Sequence, residues 1–225
     1  MNKPQACLFD LDGLLLDTEQ LHSQAWKSAA SYFGTSLSEK QLLLLRGRRR
    51  EDCIDQVCKW MAKDIEKDKF IGIHRPISKR LMTAAKAMPG AKDLICFCYA
   101  NKIPMALVTS SSASSLALKS APHPWVKLIN TLVLGDDAEL KRGKPAPDPY
   151  LLAAKKLGIN PKSCWAFEDS KSGTESALKA GCQVWVLIDK RNCTDQLTQN
   201  NNYDMNPKHI SELIEVKKEL ENFLN

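Results

Sequence analysis

Long apolar runs are missing from this chain of 225 residues. The longest, Leu94 to Ala100, has seven residues, against the roughly 20 that a membrane-spanning helix requires, so no membrane association is expected. Aromatic residues make up only 7%, and none sits among the charges of the arginine-rich stretch Arg46 to Arg50. A basic surface without aromatics lacks the stacking platforms of a nucleic-acid site, and a small phosphate-bearing molecule accounts for the charge at least as well. Histidines number four, and the eight cysteines (Cys7, Cys53, Cys58, Cys96, Cys98, Cys164, Cys182, Cys193) form no Cys-x-x-Cys pair. That pattern disfavours zinc and points to buried, reduced thiols. The first residues lack a basic segment and a clean apolar stretch before a strand pattern begins at Ala6, so export is not expected and the cytoplasm is the expected compartment.

What is present is ordinary globular material, 44% apolar and 26% charged. A chain of this length buries roughly 70% of its unfolded surface and needs no disulfide or structural metal to be stable. The net charge of +6 is unevenly spread. Residues 17–86 hold 14 Lys/Arg against 9 Asp/Glu, while the remainder holds 18 against 17.

Continuous apolar runs, of the kind found in strands buried on both faces, recur at Ala6–Phe9, Ile103–Val108, Leu128–Leu134, Cys164–Phe167 and Gln183–Ile188. Helical patterns lie between them. Asp148 is placed to cap a helix with Pro149 at its first position and Gly158 past its end, and Gly181 closes another that starts near Gly173. Strand and helix in alternation predict an α/β fold with a doubly wound, Rossmann-like parallel sheet. The rhythm breaks between Asp17 and Met88, where no strand is evident. One helix there carries Leu21, Ala25, Ala29 and Tyr32 and stops at Gly34. A second opens on the capping box Ser38-x-x-Gln41 and stops at Gly47, and a third carries Ile54, Val57, Cys58 and Met61. The expected organisation is therefore a core of residues 1–16 and 87–225 with an inserted α-helical cap over residues 17–86. Thr194 to Asn206 reads as a surface loop before a C-terminal helix containing Ile210, Leu213, Ile214 and Leu220.

The most informative motif is Asp10-Leu11-Asp12-Gly13, directly after the first strand. Residues i and i+2 of an extended segment project to one side, so both carboxylates reach one site at the edge where open α/β sheets bind ligands. Close carboxylates repel; either one stays protonated or a cation neutralises them, and oxygen ligands suit Mg²⁺. Taken alone, the pair is also compatible with a plain turn. Glu168-Asp169 forms a second acidic pair at a strand end, and Thr109-Ser110-Ser111-Ser112 links a third strand to a helix, where backbone N–H groups and hydroxyls can hold phosphate or simply cap the helix. Lys144 lies between Gly143 and Pro145 and is followed by no Ser or Thr, so it belongs to no P-loop.

In this order, Asp10-Leu11-Asp12-Gly13, Thr109, Lys144 and Glu168-Asp169 resemble the four motifs of the haloacid dehalogenase superfamily. The helical insertion is similar to the cap of the branch containing β-phosphoglucomutase and phosphoglycolate phosphatase. Asp12 to Glu19, Met88-Pro89-Gly90-Ala91 and Gly135-Asp136-Asp137 look most like the pseudouridine 5′-phosphatase and glycerol-3-phosphatase group. The resemblance implies a Mg²⁺-dependent phosphomonoester hydrolase in which Asp10 attacks phosphorus to form an aspartyl phosphate. Asp12 would serve as acid and base, its pKa raised by the neighbouring carboxylate. Asp10, Asp12 through its carbonyl, Asp169 and Glu168 would hold the metal, and Thr109, Ser110, Ser111 and Lys144 the phosphoryl group. His22 and Arg50, with Arg48 and Arg49, are candidate cap contacts. His22 falls where the mutases carry a cap histidine, and Lys79 is the nearest candidate for its partner lysine. A phosphosugar mutase and a catalytically inactive phosphate-binding protein remain the alternatives. The expected partner is a small phosphorylated metabolite, with no nucleic acid and no membrane, and the expected state is a monomer.

Overall fold

The computed structural model describes residues 3–61, 65–188 and 206–224. Its centre is a six-stranded parallel sheet built from β1 (Ala6–Phe9), β4 (Met105–Val108), β5 (Thr131–Val133), β6 (Cys164–Glu168), β7 (Gln183–Leu187) and β8 (Lys208–Ile210). The strands lie in the order β5-β4-β1-β6-β7-β8. β1 pairs with β4 on one side and β6 on the other, so the direction in which strands are added reverses at β1. A crevice at the carboxyl end of the sheet is the usual consequence of such a switch. The pleat divides β1 between two cores. Cys7 and Phe9 pack with Leu94 and Ile95 of α5 (Ala91–Ala100) and Leu213 and Val216 of α9 (Leu213–Asn222). Ala6 and Leu8 pack with Tyr150 and Ala153 of α7 (Asp148–Leu157) and Ala177 of α8 (Lys171–Lys179). Burial on both faces explains why these strands are continuous apolar runs.

Between the first two sheet strands the chain forms α1 (Glu19–Tyr32), α2 (Glu39–Leu43), α3 (Arg50–Trp60) and α4 (Lys67–Met82), which share a third core around Trp26, Leu42, Ile54 and Phe70. The capping box of Ser38 and Gln41 is present. Where this segment leaves and rejoins the rest of the chain, β2 (Leu16–Asp17) and β3 (Lys86–Ala87) pair antiparallel. These two-residue strands contradict the expectation of no strand there; they are too short to leave a periodic signal.

Three local expectations need correction. Ile210 belongs to edge strand β8 and not to the last helix; β8 buries only that one residue, so its apolar pattern is minimal. Asp148 does not cap α7, because its carboxylate takes Arg142 at 3.0 Å and Pro147 holds the cap position. Tyr32 is exposed, and Trp26 and Ala30 complete the buried face of α1 instead. The cysteines among the described residues are all free thiols; Cys193 and all but the last residue of the polar stretch 194–206 lie outside them. No helix among the described residues is long and apolar enough to cross a membrane.

Candidate active site

The carboxyl ends of β1, β4 and β6 converge because their registers are aligned: Phe9 stands opposite Leu107 and Phe167. Asp10 and Glu168 come next after Phe9 and Phe167, and Thr109 lies two past Leu107, so the three gather at one edge of the sheet, all buried. Gly13 has φ +87°, and a Cβ there would fall 2.0 Å from Asp169 Oδ2, so only glycine permits the two acidic motifs to approach. Lys144 enters from its loop and donates to Asp10 Oδ1 and Glu168 Oε1, both at 2.5 Å, and to the Val108 carbonyl at 2.9 Å. Tyr150 and Ser170 donate to the same Glu168 carboxylate at 2.5 and 3.1 Å.

Asp10, Glu168 and Asp169 each offer a carboxylate oxygen, all within 4.8 Å of one another. Burial pushes Asp10 well above the usual carboxylate range; Lys144 opposes this, and Glu168 and Asp169 add to it. Asp169 is pushed up to about 8, first by burial and then by Glu19 and Glu168, against the pull of Arg46. Four carboxylates (Asp10, Glu19, Glu168, Asp169) thus face the two cations Lys144 and Arg46. The excess of negative charge and the all-oxygen donor set fit a hard divalent cation.

Asp12 is half-buried among donors. Its oxygens accept from Thr18 at 2.6 Å, Ser111 at 2.8 Å and Lys119 at 2.6 Å, with His22 Nε2 at 3.4 Å. Burial pushes its carboxyl up, but Lys119 and His22 outweigh that and hold it well below the ordinary range. The expected upward shift is therefore reversed; the acid raised beside it is Asp10.

The serine-rich loop caps the helix that follows it. Thr109 Oγ1 accepts from the Ser111 amide at 3.1 Å, and Ser112 caps α6 (Ala113–Ser120). Ser110 donates to the Gly47 carbonyl at 2.9 Å, which ties this loop to the turn between α2 and α3. Arg46 of that turn reaches Glu19 at 2.7 Å and Asp169 at 2.6 Å, and Arg49 donates to the Leu140 carbonyl at 3.2 Å.

Above these groups lies a cavity of about 360 Å³ whose lining includes Asp10, Asp12, His22, Thr109 to Ser111 and Arg48 to Arg50. Lys79, in contrast, is exposed on α4 and does not line it. The α4 side chain that does is His74, stacked on Trp26 with ring centroids 3.8 Å apart. Burial, and then Arg50, His22 and Arg75, lower its pKa to about 3, so it is neutral. Sequence reading missed His74, Arg46 and Lys119. His74 follows Phe70 by one helical turn, a spacing that carries no functional signal, while Lys119 closes a serine-rich helix and its partner is 107 positions away.

The family described as "Haloacid dehalogenase-like hydrolase" matches residues 7–187. A Drosophila melanogaster protein described as "Probable pseudouridine-5'-phosphatase" is 36% identical over 195 residues, covering 85% of this chain and 84% of the relative. (DL)-glycerol-3-phosphatase 2 of Arabidopsis thaliana is 28% identical over 94% of this chain and 88% of its own length. Among solved structures, a β-phosphoglucomutase from Clostridium difficile superposes with a TM-score of 0.78 at 20% identity, covering 98% of this chain and 99% of that one, which shows the shared fold.

Proposed function

This chain belongs to the haloacid dehalogenase-like hydrolases, and from that premise we propose that it is a phosphatase that releases inorganic phosphate from small phosphorylated metabolites through an aspartyl-phosphate intermediate. The observation that carries this reading is the buried group of Asp10, Glu168 and Asp169, paired with Lys144 and Arg46, at the foot of a cavity sized for a small molecule.

In the first step a carboxylate oxygen of Asp10 attacks phosphorus, and the bond from phosphorus to the ester oxygen breaks. The leaving oxygen keeps that electron pair and takes a proton from Asp12. In the second step Asp12 takes a proton from water as the water oxygen attacks phosphorus; the Asp10–phosphorus bond breaks, and phosphate leaves with both carboxyl groups restored. Lys144 and Thr109, with Ser110, hold the equatorial phosphoryl oxygens, where charge is spread in the transition state, while the Ser111 hydroxyl is committed to Asp12. Asp10, Asp169 and the Asp12 carbonyl, with Glu168 beside them, would hold Mg²⁺. When bound, that cation neutralises phosphoryl charge and favours the ionised form of the nucleophile. The helices of residues 17–86 act as the cap, with His22 and Arg50 as contacts to the part of the substrate that leaves.

The phosphatase names of the relatives support hydrolysis over phosphosugar transfer, and the exposure of Lys79 removes the candidate partner of His22. Phosphate release from a panel of sugar, polyol and nucleotide phosphates tests this. Turnover with Mg²⁺ that is abolished by EDTA and restored by added Mg²⁺ is expected. Turnover that survives exhaustive chelation, or conversion of β-glucose 1-phosphate to glucose 6-phosphate faster than phosphate appears, contradicts it.

A further inference from the structure

Lys119 lies on α6, fully buried, and its ammonium group donates to both oxygens of Asp12 at 2.6 Å and contacts Ser111 Oγ at 2.6 Å. Removing a lysine completely from water costs several kcal/mol unless its partners compensate. Here the compensation comes from Asp12 and the serine hydroxyl. Two equal contacts to one carboxylate also fix its plane, which a single contact does not.

The two sides of Asp12 differ. On the helical-insert side, His22 lines the cavity and stands 3.4 Å from Oδ1, a long contact that an incoming group can displace. Lys119, fully buried on α6, does not line the cavity, so it holds the carboxylate from outside it. We propose that Lys119 is a positioning residue that, together with Ser111, holds the Asp12 carboxyl in line with the leaving oxygen and later with the attacking water. This rests on the reading of Asp12 as the acid and base of the reaction. Lys119 touches neither substrate nor the transferring group; it acts through Asp12 alone. Misplacing a reacting group by about 1 Å loses on the order of 10²-fold in rate, and positioned proton transfer contributes roughly 10²–10⁴-fold.

The distinguishing property is dependence on the leaving group. An alkoxide leaving group needs the proton from Asp12, whereas p-nitrophenolate leaves without it. Lys119→Met is therefore expected to lower kcat about 10²-fold on an alkyl phosphate such as glycerol 3-phosphate, with KM little changed. On p-nitrophenyl phosphate, phosphoenzyme formation should be nearly unaffected while its hydrolysis slows, giving a burst of p-nitrophenol and accumulated phosphoenzyme. Because a buried lysine is removed, Ser111→Ala is made in parallel; it leaves Lys119 on Asp12 and should show the same substrate dependence at smaller size. Asp12→Asn provides the reference. If Asp12→Asn shows the leaving-group dependence and the Lys119 and Ser111 variants slow phosphoenzyme formation equally from both substrates, or from neither, the positioning role is wrong and the function stands. If Asp12→Asn itself shows no such dependence, the acid–base reading of Asp12 fails, and this inference with it.

Discussion

Asp10→Asn is expected to lower phosphate release by at least about 10⁴-fold, because an amide cannot attack phosphorus. The fold should tolerate the change. Burial and the neighbouring carboxylates already push Asp10 well above the ordinary range, so a neutral side chain there relieves repulsion. Lys144 retains Glu168 and the Val108 carbonyl. Thermal unfolding should therefore shift by no more than about 4 °C, which corresponds to roughly 1–2 kcal/mol for a chain of this size. A variant that kept more than a few per cent of the wild-type rate would refute nucleophilic attack by Asp10.

Lys144→Met should damage both rate and stability. The rate loss is expected at about 10³-fold, carried by kcat, because a charge that stabilises the phosphoryl group in the transition state is removed. The stability loss follows from leaving two buried carboxylates, Asp10 and Glu168, without their shared ammonium. Breaking a buried pair in this way costs about 3–5 kcal/mol, equivalent to a fall of roughly 6–20 °C in Tm. The sign of the pH dependence is fixed by Asp10. Its folded pKa already lies above the unfolded value, and loss of Lys144 raises it further. The native variant then holds a proton that the unfolded chain has released, so its deficit is smallest in acid and grows as pH rises through the folded pKa. A deficit that grew in acid instead would show that Lys144 is not the main counter-charge of this cluster.

The sheet was legible because β1, β4, β6 and β7 are buried on both faces, which forces unbroken apolar runs such as Ala6–Phe9. The acidic motifs were legible because each directly follows such a run, and a parallel sheet brings strand ends together. What stayed hidden depends on contacts distant in sequence. Arg46 was read as part of a basic stretch, yet it is set on Glu19 and Asp169 by the turn between α2 and α3. The fall in the pKa of Asp12 could not be read from Asp10 beside it, since it comes from Lys119 on α6 and His22 on α1. β8 was missed because an edge strand of Lys208, His209 and Ile210 needs only one buried side chain, and Lys208 finds its place over the Trp185 ring at 4.7 Å.

The central claim is that phosphorus is carried on Asp10 between the two steps. The most direct measurement is to quench the enzyme with acid during turnover of a ³²P-labelled substrate, reduce the acyl phosphate with borohydride and map the modified residue by mass spectrometry. Conversion of Asp10 to homoserine, with labelled protein that forms and decays at rates matching turnover, is the predicted result. Label on another residue, or phosphate release at full rate with no labelled protein at any time, would contradict the account.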